Sequence, residues 1–173
     1  MSHAPVHGID HVGLTVPDIE QATTFFVEAL QGEVLYETLK KTEPKRDDAE
    51  TQQRLGVPDT MAQRAIRMLV FPNGPGIELF EFEGPDQKGP ICSSDIGWTH
   101  IAFYTDDLEK TLANVEAAGG KRLADPQPLS GLEAGKGNQF CYVHTPWGST
   151  LEFITYPTPQ PYLEKADRAK WQV

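Results

Sequence analysis

Two short patterns each occur twice in this sequence, and the repetition constrains the fold more than any other feature of the chain. The first pattern places a histidine early in an apolar stretch, as Ile-Asp-His-Val-Gly-Leu at residues 9–14 and Trp-Thr-His-Ile-Ala-Phe at residues 98–103. The second pattern, Pro-x-Gly-x-x-aliphatic-Glu, ends at Glu78 and again at Glu152. The copies lie 89 and 74 residues apart. A repeat of this length is a whole supersecondary unit, so the sequence predicts two similar modules.

Each module is predicted to run strand, helix and then three strands. Residues 8–16 alternate polar and apolar side chains, which is the period of a strand with one buried face, so the histidine face is expected to stay open. Asp18 is predicted to cap the first helix, and Asp106 or Asp107 the second. The predicted strands are residues 8–16, 33–39, 65–71 and 76–82 in the first module and residues 97–105, 121–124, 138–144 and 149–156 in the second.

The two modules are expected to form one domain over residues 1–157, with the modules at about 8–84 and 96–157 and a Gly/Pro-rich linker between them. Residues 40–61 are a polar, charge-rich insertion that contains a short predicted helix. This insertion is either a lid or a plain surface excursion, and the sequence leaves both open. Residues 158–173 are a mostly polar C-terminal tail, for which one or two helical turns are expected.

Composition excludes several classes of function. The formal net charge is −10 at pH 7, which argues against a nucleic-acid or anionic membrane partner because both require clustered Lys and Arg. The longest apolar runs are strand-sized and residues 1–10 lack a signal pattern, so a cytoplasmic location with no membrane span is expected. Cys92 and Cys141 are too few for a disulfide framework, and Cys141 is interpreted as a buried thiol.

This order of elements resembles the vicinal oxygen chelate superfamily, with a strand-borne histidine opening each half and an aliphatic-Glu pair in a closing strand. The superfamily includes glyoxalase I, methylmalonyl-CoA epimerase, extradiol dioxygenases, fosfomycin-resistance proteins and bleomycin-binding proteins. The resemblance covers about residues 8 to 157 and is closest to glyoxalase I-like and epimerase-like members. It implies an α+β fold in which two βαβββ modules form an incomplete eight-stranded barrel.

The resemblance also implies that His11, Glu78, His100 and Glu152 hold one divalent metal ion per site. Elementary chemistry agrees with this implication, because imidazole nitrogens and carboxylate oxygens suit Zn, Ni, Mn, Co or Fe(II). A single His or Glu on a strand is more often structural, but four at repeat-equivalent positions favour a shared metal. Glu81 is the competitor for Glu78, and it lies three residues along the same strand and so on the opposite face. The Pro-x-Gly register selects Glu78.

The implied reaction is that of a glyoxalase-like lyase or isomerase. In such a site the metal holds two neighbouring oxygens of a small substrate, and a proton beside its carbonyl is moved through an enediolate. Glu152 is the expected base, with Glu78 as its partner. The alternatives are an epimerase of an acyl-thioester, an Fe(II) ring-cleaving dioxygenase or thiol transferase of the same fold, and a non-catalytic drug- or metabolite-binding protein. A glutamate at position 78 favours the lyase or isomerase, and the complete ligand set argues against the binding protein.

Substrate contacts are harder to predict than metal ligands. Trp98, Tyr104, Phe140 and Tyr142 lie on or beside the ligand-bearing strands, although aromatic side chains in strands are more often part of the core. A carboxylate or phosphate of the substrate would require a basic side chain. The candidates are Arg64, Arg67 and the basic residues of the insertion, Lys40, Lys41, Lys45, Arg46 and Arg54. Solvated surface charge is the more common role for such residues, and Arg67 is the one selected. The sequence identifies neither the substrate nor the metal. A homodimer is expected, and the site closes either within one chain or between two.

Overall fold

The computed structural model describes residues 8–170 of the 173-residue chain. In chain order the strands and helices are β1 (His11–Val16), α1 (Ile19–Leu30), β2 (Glu33–Leu39), α2 (Ala49–Leu55), β3 (Ala62–Val70), β4 (Gly76–Glu83), β5 (His100–Tyr104), α3 (Leu108–Ala117), β6 (Lys121–Arg122), β7 (Gln127–Pro128), β8 (Gln139–His144) and β9 (Thr150–Thr155). Short 3-10 helices occur at Gly131–Glu133 and Pro161–Glu164.

The strands form two sheets with the same internal order. The first sheet runs β1-β4-β3-β2, and the second runs β5-β9-β8-β6, with β7 added beside β8. In each sheet the histidine-bearing strand pairs in parallel with the glutamate-bearing strand, while the remaining pairs are antiparallel. The predicted α+β fold of two βαβββ modules is therefore confirmed. The sheets are not closed as a barrel.

The chain divides into two compact units. The first contains residues 8–27 and 31–88, and the second contains residues 28–30 and 89–170. The boundary after residue 88 falls within the predicted linker. Of the predicted tail, residues 158–170 are described and include the 3-10 turn, whereas residues 171–173 lie outside the described range, as do residues 1–7 of the predicted domain.

In the first unit, the Asp18 side chain caps the N-terminus of α1. Its Oδ1 accepts hydrogen bonds from the N–H groups of Glu20 and Gln21, both at 2.9 Å, as the sequence predicted. The helix ends at Gln31, which adopts the left-handed conformation with φ 58°. Phe26 is fully buried and meets Phe71 edge to face at 6.2 Å, which packs the helix against the end of β3. In β1, the face that carries His11 is exposed, whereas the residues that alternate with it are half-buried or buried.

In the second unit, Asp107 caps α3 by accepting a hydrogen bond from the N–H of Lys110 at 3.0 Å. Leu112 and Val115 are fully buried on the inner side of this helix, and Leu151 and Phe153 are buried on β9. Alternate residues of β9, including Glu152, are only half-buried. One face of this sheet therefore belongs to the core, and the other face is available for a site.

The structure differs from the sequence predictions mainly at strand ends and in the loop 125–137. The two histidine-bearing strands begin at the histidines themselves, three residues later than predicted in each module. Strand β7 and the turn Gly131–Glu133 lie in a segment that was predicted to be irregular. Its Pro and Gly residues favour a loop, and the pairing of β7 with β8 involves only two residues of β7. The short helix of the insertion is confirmed as α2, capped by Asp48 and ended by Gly56 in the left-handed conformation. Within residues 8–170, no helix combines the length and the apolar character needed to cross a bilayer.

Candidate metal centre

His11 and Glu78 form a close pair in the first unit. His11 on β1 pairs in register with Gly76 on β4, and Glu78 lies two residues further along β4. Residues two apart on a strand point to the same face, so the Glu78 side chain lies on the same face as the imidazole of His11, the partner of Gly76. The His11 Nε2 lies 3.4 Å from the Glu78 Oε2. The parallel pairing of two strands that are distant in sequence thus brings these donors together.

His100 and Glu152 form the equivalent pair in the second unit. His100 on β5 pairs in register with Thr150 on β9, and Glu152 again lies two residues further along. The His100 Nε2 lies 3.2 Å from the Glu152 Oε2. The same offset in two separately built sheets gives each unit one imidazole and one carboxylate in the same relative position.

Each imidazole contacts the side chain of the preceding residue through its Nδ1 atom. The His11 Nδ1 lies 2.8 Å from the Asp10 Oδ2, and the His100 Nδ1 lies 3.1 Å from the Thr99 Oγ1. These contacts occupy Nδ1 and leave Nε2 facing the glutamate. A metal-binding histidine is usually oriented in this way, by a hydrogen bond at the ring nitrogen that does not bind the metal.

A small residue stands directly opposite each glutamate. Gly13 pairs with Glu78, and Ala102 pairs with Glu152, in both cases two residues after the histidine. A side chain at Gly13 would meet the ring of Phe80, which already lies 3.4 Å from the position of a Cβ atom. Ala102 is exposed. Each carboxylate therefore has a small residue opposite it on the neighbouring strand.

The glutamate of the second pair is more buried than that of the first, and an aromatic ring lies against its histidine. The Glu152 side chain is 14% exposed and that of Glu78 is 20% exposed. Burial raises the pKa of the Glu152 carboxyl, and the neighbouring His100 acts in the opposite direction. Tyr142 lies opposite Glu152 on β8, and its ring meets that of His100 edge to face at 5.2 Å. Burial and the Glu152 charge raise the pKa of Tyr142, which keeps its hydroxyl protonated.

The donor atoms in each pair suit a divalent cation. Two ligand atoms bound at right angles, each about 2.1 Å from a metal, lie roughly 3.0 Å apart, which is close to both observed N···O separations. A mixed imidazole and carboxylate set favours Zn, Ni, Mn, Co or Fe(II). Over residues 8–170, however, no group of three or more His, Cys, Asp or Glu side chains is arranged to hold a metal ion. The structure presents the predicted ligands as two pairs, one in each unit.

Glu81 has a structural partner set of its own. Its side chain is buried, and its Oε2 accepts a hydrogen bond at 2.7 Å from the N–H of Ile19, the first residue of α1. The same oxygen lies 2.9 Å from the Lys41 Nζ. Glu81 therefore ties the start of the helix to β4. Glu78, on the other face of the strand, is the glutamate beside His11.

The residues predicted to contact substrate have different surroundings. Phe140 and Tyr142 lie on the same face of β8, and their rings pack edge to face at 5.5 Å. Tyr104 shares the face of His100, while Trp98 is 95% exposed and precedes β5. Arg67 is different, because its buried guanidinium donates to Glu20 at 2.8 and 2.9 Å, to Glu37 at 3.0 Å and to Thr23 at 2.7 Å.

These contacts give Arg67 a structural role between α1 and the first sheet, and we do not retain it as a ligand for an anionic substrate. Its polar neighbours come from elements distant in sequence, so the charge pattern alone could not show that the guanidinium was already paired. Tyr156, which was not among the predicted substrate contacts, places its ring 4.6 Å from that of Tyr104. The alternation Glu152, Ile154, Tyr156 was the available signal for it.

The class of this protein follows from these features together with a family comparison. Residues 8–153 match the family described as the Glyoxalase/Bleomycin resistance protein/Dioxygenase superfamily. The chain belongs to this superfamily, as the repeated patterns predicted.

Two relatives are similar over most of the chain. A 2-epi-5-epi-valiolone epimerase from Actinomyces sp is 32% identical over 166 residues, which is 95% of this chain and 87% of that protein. A putative lactoylglutathione lyase from Brassica oleracea var. gemmifera is 31% identical over 157 residues, which is 89% of this chain and 46% of that protein. The chain thus spans about half the length of the second relative. Both names are those of enzymes.

Solved structures agree on the fold. A glyoxalase family protein from Bacillus cereus superposes with a TM-score of 0.69 at 16% identity, covering 90% of this chain and 97% of that one. A fosfomycin resistance protein from Listeria monocytogenes, solved with Mn(II) and a dihydroxypropylphosphonic acid, has a TM-score of 0.59 at 14% identity and covers 94% of this chain and 100% of that one. Likeness at these identities concerns the fold alone.

Proposed function

We propose that this chain is a divalent-metal-dependent enzyme that moves a proton at a carbon beside a carbonyl group of a small oxygenated substrate, and so isomerises or epimerises it. The observation that carries the proposal is the pair of register-equivalent His–Glu contacts, His11 with Glu78 and His100 with Glu152. Two imidazoles and two carboxylates, exposed or half-buried, are a donor set that suits a divalent metal ion acting as a Lewis acid. The names of the two relatives support the same reaction class.

His11, Glu78, His100 and Glu152 would hold the metal ion. When bound, a divalent ion acts as a Lewis acid that polarises substrate oxygens and stabilises negative charge beside a carbonyl. Asp10 and Thr99 serve this arrangement by fixing the two imidazole rings through Nδ1. The Mn(II) in the Listeria fosfomycin resistance protein supports a metal of this group, although that structure is a likeness in fold only.

Glu152 is the proposed base, and Glu78 is the proposed partner that returns the proton. Glu152 is the less exposed of the two carboxylates, and its surroundings include the ring of His100 and the Tyr142 side chain across the sheet. A carboxylate shielded from water is a stronger base than one in solution. Proton removal by one glutamate and return by the other, on opposite sides of the same carbon, would invert its configuration.

Epimerisation is the form of the reaction that we favour. The alignment with the 2-epi-5-epi-valiolone epimerase covers nearly the whole of both proteins, whereas the lactoylglutathione lyase is about twice as long as the aligned region. The proposed substrate is therefore a small carbonyl compound of the kind that the first relative's name describes. An acyl-thioester is the alternative substrate for the same proton transfer.

Exchange of the substrate proton with solvent tests the proposal directly. The metal-loaded protein is incubated in D₂O with 2-epi-5-epi-valiolone, and loss of the signal of the proton beside the carbonyl is followed by ¹H NMR. We expect exchange and epimer formation, and we expect Glu152→Gln to slow both by about a hundredfold or more. Glu109→Gln is the matched control, because Glu109 is an exposed glutamate of the same unit that pairs with Arg122.

Two results would overturn the proposal. One is full exchange activity in Glu152→Gln that retains its metal. The other is absence of exchange with hydroxylated ketones, acyl-thioesters and the glutathione conjugate of methylglyoxal, together with oxygen consumption on catechols. That second result would favour the dioxygenase alternative.

A further inference from the structure

Two polar side chains of β8 lie on the same face of the second sheet as Glu152. Tyr142 pairs directly with Glu152, and His144 pairs with Thr150, two residues before Glu152 on β9. On the other side of β9, His100 also pairs with Thr150. Residues that pair directly, or that lie two apart on a strand, point to the same face. Tyr142 and His144 therefore lie on the face of the proposed reaction, across β9 from His100.

The polar atoms of these two side chains are free to contact a ligand. Within residues 8–170, the Tyr142 hydroxyl and the His144 ring nitrogens have no hydrogen-bond partner. The buried side-chain nitrogen and oxygen atoms that lack a partner in this range all belong to other residues. Both side chains are half-buried, so their polar atoms are unpartnered and reachable from solvent.

The ring of Tyr142 is held in place independently of its hydroxyl. It meets the ring of His100 edge to face at 5.2 Å and that of Phe140 edge to face at 5.5 Å. These contacts use the aromatic ring only. The hydroxyl is therefore presented on a fixed ring, which lowers the entropy that a ligand has to overcome on binding.

The first module has apolar side chains at the equivalent positions. Met68 is the residue opposite Glu78, and Val70 follows it two residues later, as His144 follows Tyr142. Met68 is 5% exposed. Neither a thioether nor an isopropyl group can donate a hydrogen bond. The duplication thus repeats the His–Glu pair but not the polar side chains beside it.

This difference between the modules separates two tasks. Metal binding would use matching groups from both modules, and it accounts for the repeated His–Glu pairs. It does not account for a hydroxyl and an imidazole that only the second module carries. A substrate that is not symmetric carries some groups at one end only, so their recognition calls for side chains found in one module only.

The charge near Tyr142 indicates which kind of group fits there. Burial raises the pKa of the Tyr142 hydroxyl, and the negative charge of Glu152 raises it further. The same charge would repel an anionic group placed against Tyr142. An uncharged hydroxyl group can accept a hydrogen bond from a tyrosine and donate one to a neutral imidazole. The surroundings therefore favour a hydroxylated ligand over an acid or a phosphate.

We propose that Tyr142 and His144 hydrogen-bond to hydroxyl groups of the substrate that lie beyond its reacting carbonyl, and so make the enzyme selective for polyhydroxylated ketones. The Cα atoms of the two residues are about 7 Å apart along β8, so both side chains can contact hydroxyls on neighbouring carbons of one small molecule. This assignment rests on the proposed function, because it places the substrate beside Glu152.

L-Erythrulose and 1-hydroxy-2-butanone are the probes. Both are uncharged hydroxyketones with the same carbon skeleton, and erythrulose differs only in carrying two further hydroxyl groups on neighbouring carbons. Binding to the Zn(II)-supplemented protein, labelled with ¹⁵N and with ¹³C in the histidine rings, is followed by NMR. The His144 ring signal is identified by its absence from His144→Val. We expect erythrulose to bind about tenfold more tightly, and we expect erythrulose alone to shift that signal.

His144→Val and Tyr142→Phe test the two contacts separately. Both replacements suit their positions, since valine occupies the equivalent place in the first module and phenylalanine keeps the ring. We expect each to weaken erythrulose binding about fivefold and to leave the binding of 1-hydroxy-2-butanone within about twofold. Tyr162→Phe is the matched control. Tyr162 is in the same unit, and its hydroxyl already accepts a hydrogen bond from the Lys170 N–H at 2.9 Å.

Three outcomes would overturn this proposal: no binding of either probe, equal affinity of the native protein for the two probes, or an unchanged preference for erythrulose in either variant. Proton exchange is not part of the readout, which keeps the two proposals distinguishable. A protein that selects erythrulose through these residues but exchanges no proton would refute the proposed reaction alone. Exchange without any preference would refute the selectivity alone.

Discussion

Glu78 and Glu81 lie three residues apart on β4, and their side chains leave opposite faces of the sheet. Glu81 accepts a hydrogen bond from the Ile19 N–H and pairs with Lys41, whereas Glu78 stands beside His11. The repeated Pro-x-Gly-x-x-aliphatic-Glu pattern selected Glu78 from the sequence, and the register of β1 on β4 gives the physical reason. Glu78 lies two positions beyond Gly76, the register partner of His11, and on that face its Oε2 comes to 3.4 Å from the His11 Nε2.

The two glutamates should respond differently to the same substitution. Glu78→Gln is expected to lower metal content, measured by elemental mass spectrometry, with little change in thermal stability. Glu81→Gln is expected to retain metal and to lower Tm by several degrees, because it removes the buried one of the two carboxylates that pair with Lys41. Loss of metal in Glu81→Gln with retention in Glu78→Gln would reverse the assignment.

At the scale of the element, the helices were the most predictable part of the fold. Their starts are set by short-range chemistry, and Asp18, Asp48 and Asp107 each accept hydrogen bonds from backbone N–H groups at the first turn. The starts of β1 and β5 were predicted too early. The first residue of a strand is the first one that pairs with a neighbouring strand, and the local sequence does not contain that information. The parallel pairing of β1 with β4 and of β5 with β9 rests on the same long-range contacts.

The cap at Asp18 makes a pH-dependent contribution to stability. Hydrogen bonding to the Gln21 N–H, with the charge of Lys41, lowers the pKa of Asp18 below its ordinary value of 3.8. Because the folded pKa lies below the unfolded one, this contribution is complete above that value and is lost as the pH falls through the folded pKa.

Asp18→Ala is therefore expected to lower the free energy of unfolding at pH 7 by about 1 kcal/mol. The difference from the native protein should narrow as the pH falls below about 4. Urea denaturation at pH 7 and at a pH below about 4 measures this difference in the free energy of unfolding. Substitution of the exposed Asp47 by Ala is the control. An effect of Asp18→Ala that does not change with pH would contradict the role of the carboxylate charge.

At the scale of the whole molecule, the duplication explains what could be read from the sequence and what could not. Matching patterns predicted both modules and all four candidate ligands, because a repeat marks equivalent positions without any knowledge of contacts. The ion pairs of Arg67 and the ring contact between Tyr156 and Tyr104 could not be predicted, because the environment of a single side chain has no repeated signature. The predicted homodimer stays a prediction.

The number of metal ions bound per chain tests the central claim most directly. Metal-free protein is titrated with Mn(II), Zn(II) or Ni(II) by isothermal calorimetry, for the native chain and for His11→Ala and His100→Ala. A shared four-ligand site predicts one ion per chain, and it predicts that either histidine substitution alone weakens that binding by orders of magnitude. Two ions per chain, or one ion held with unchanged affinity by His11→Ala, would show that the His–Glu pairs are separate and would contradict the account.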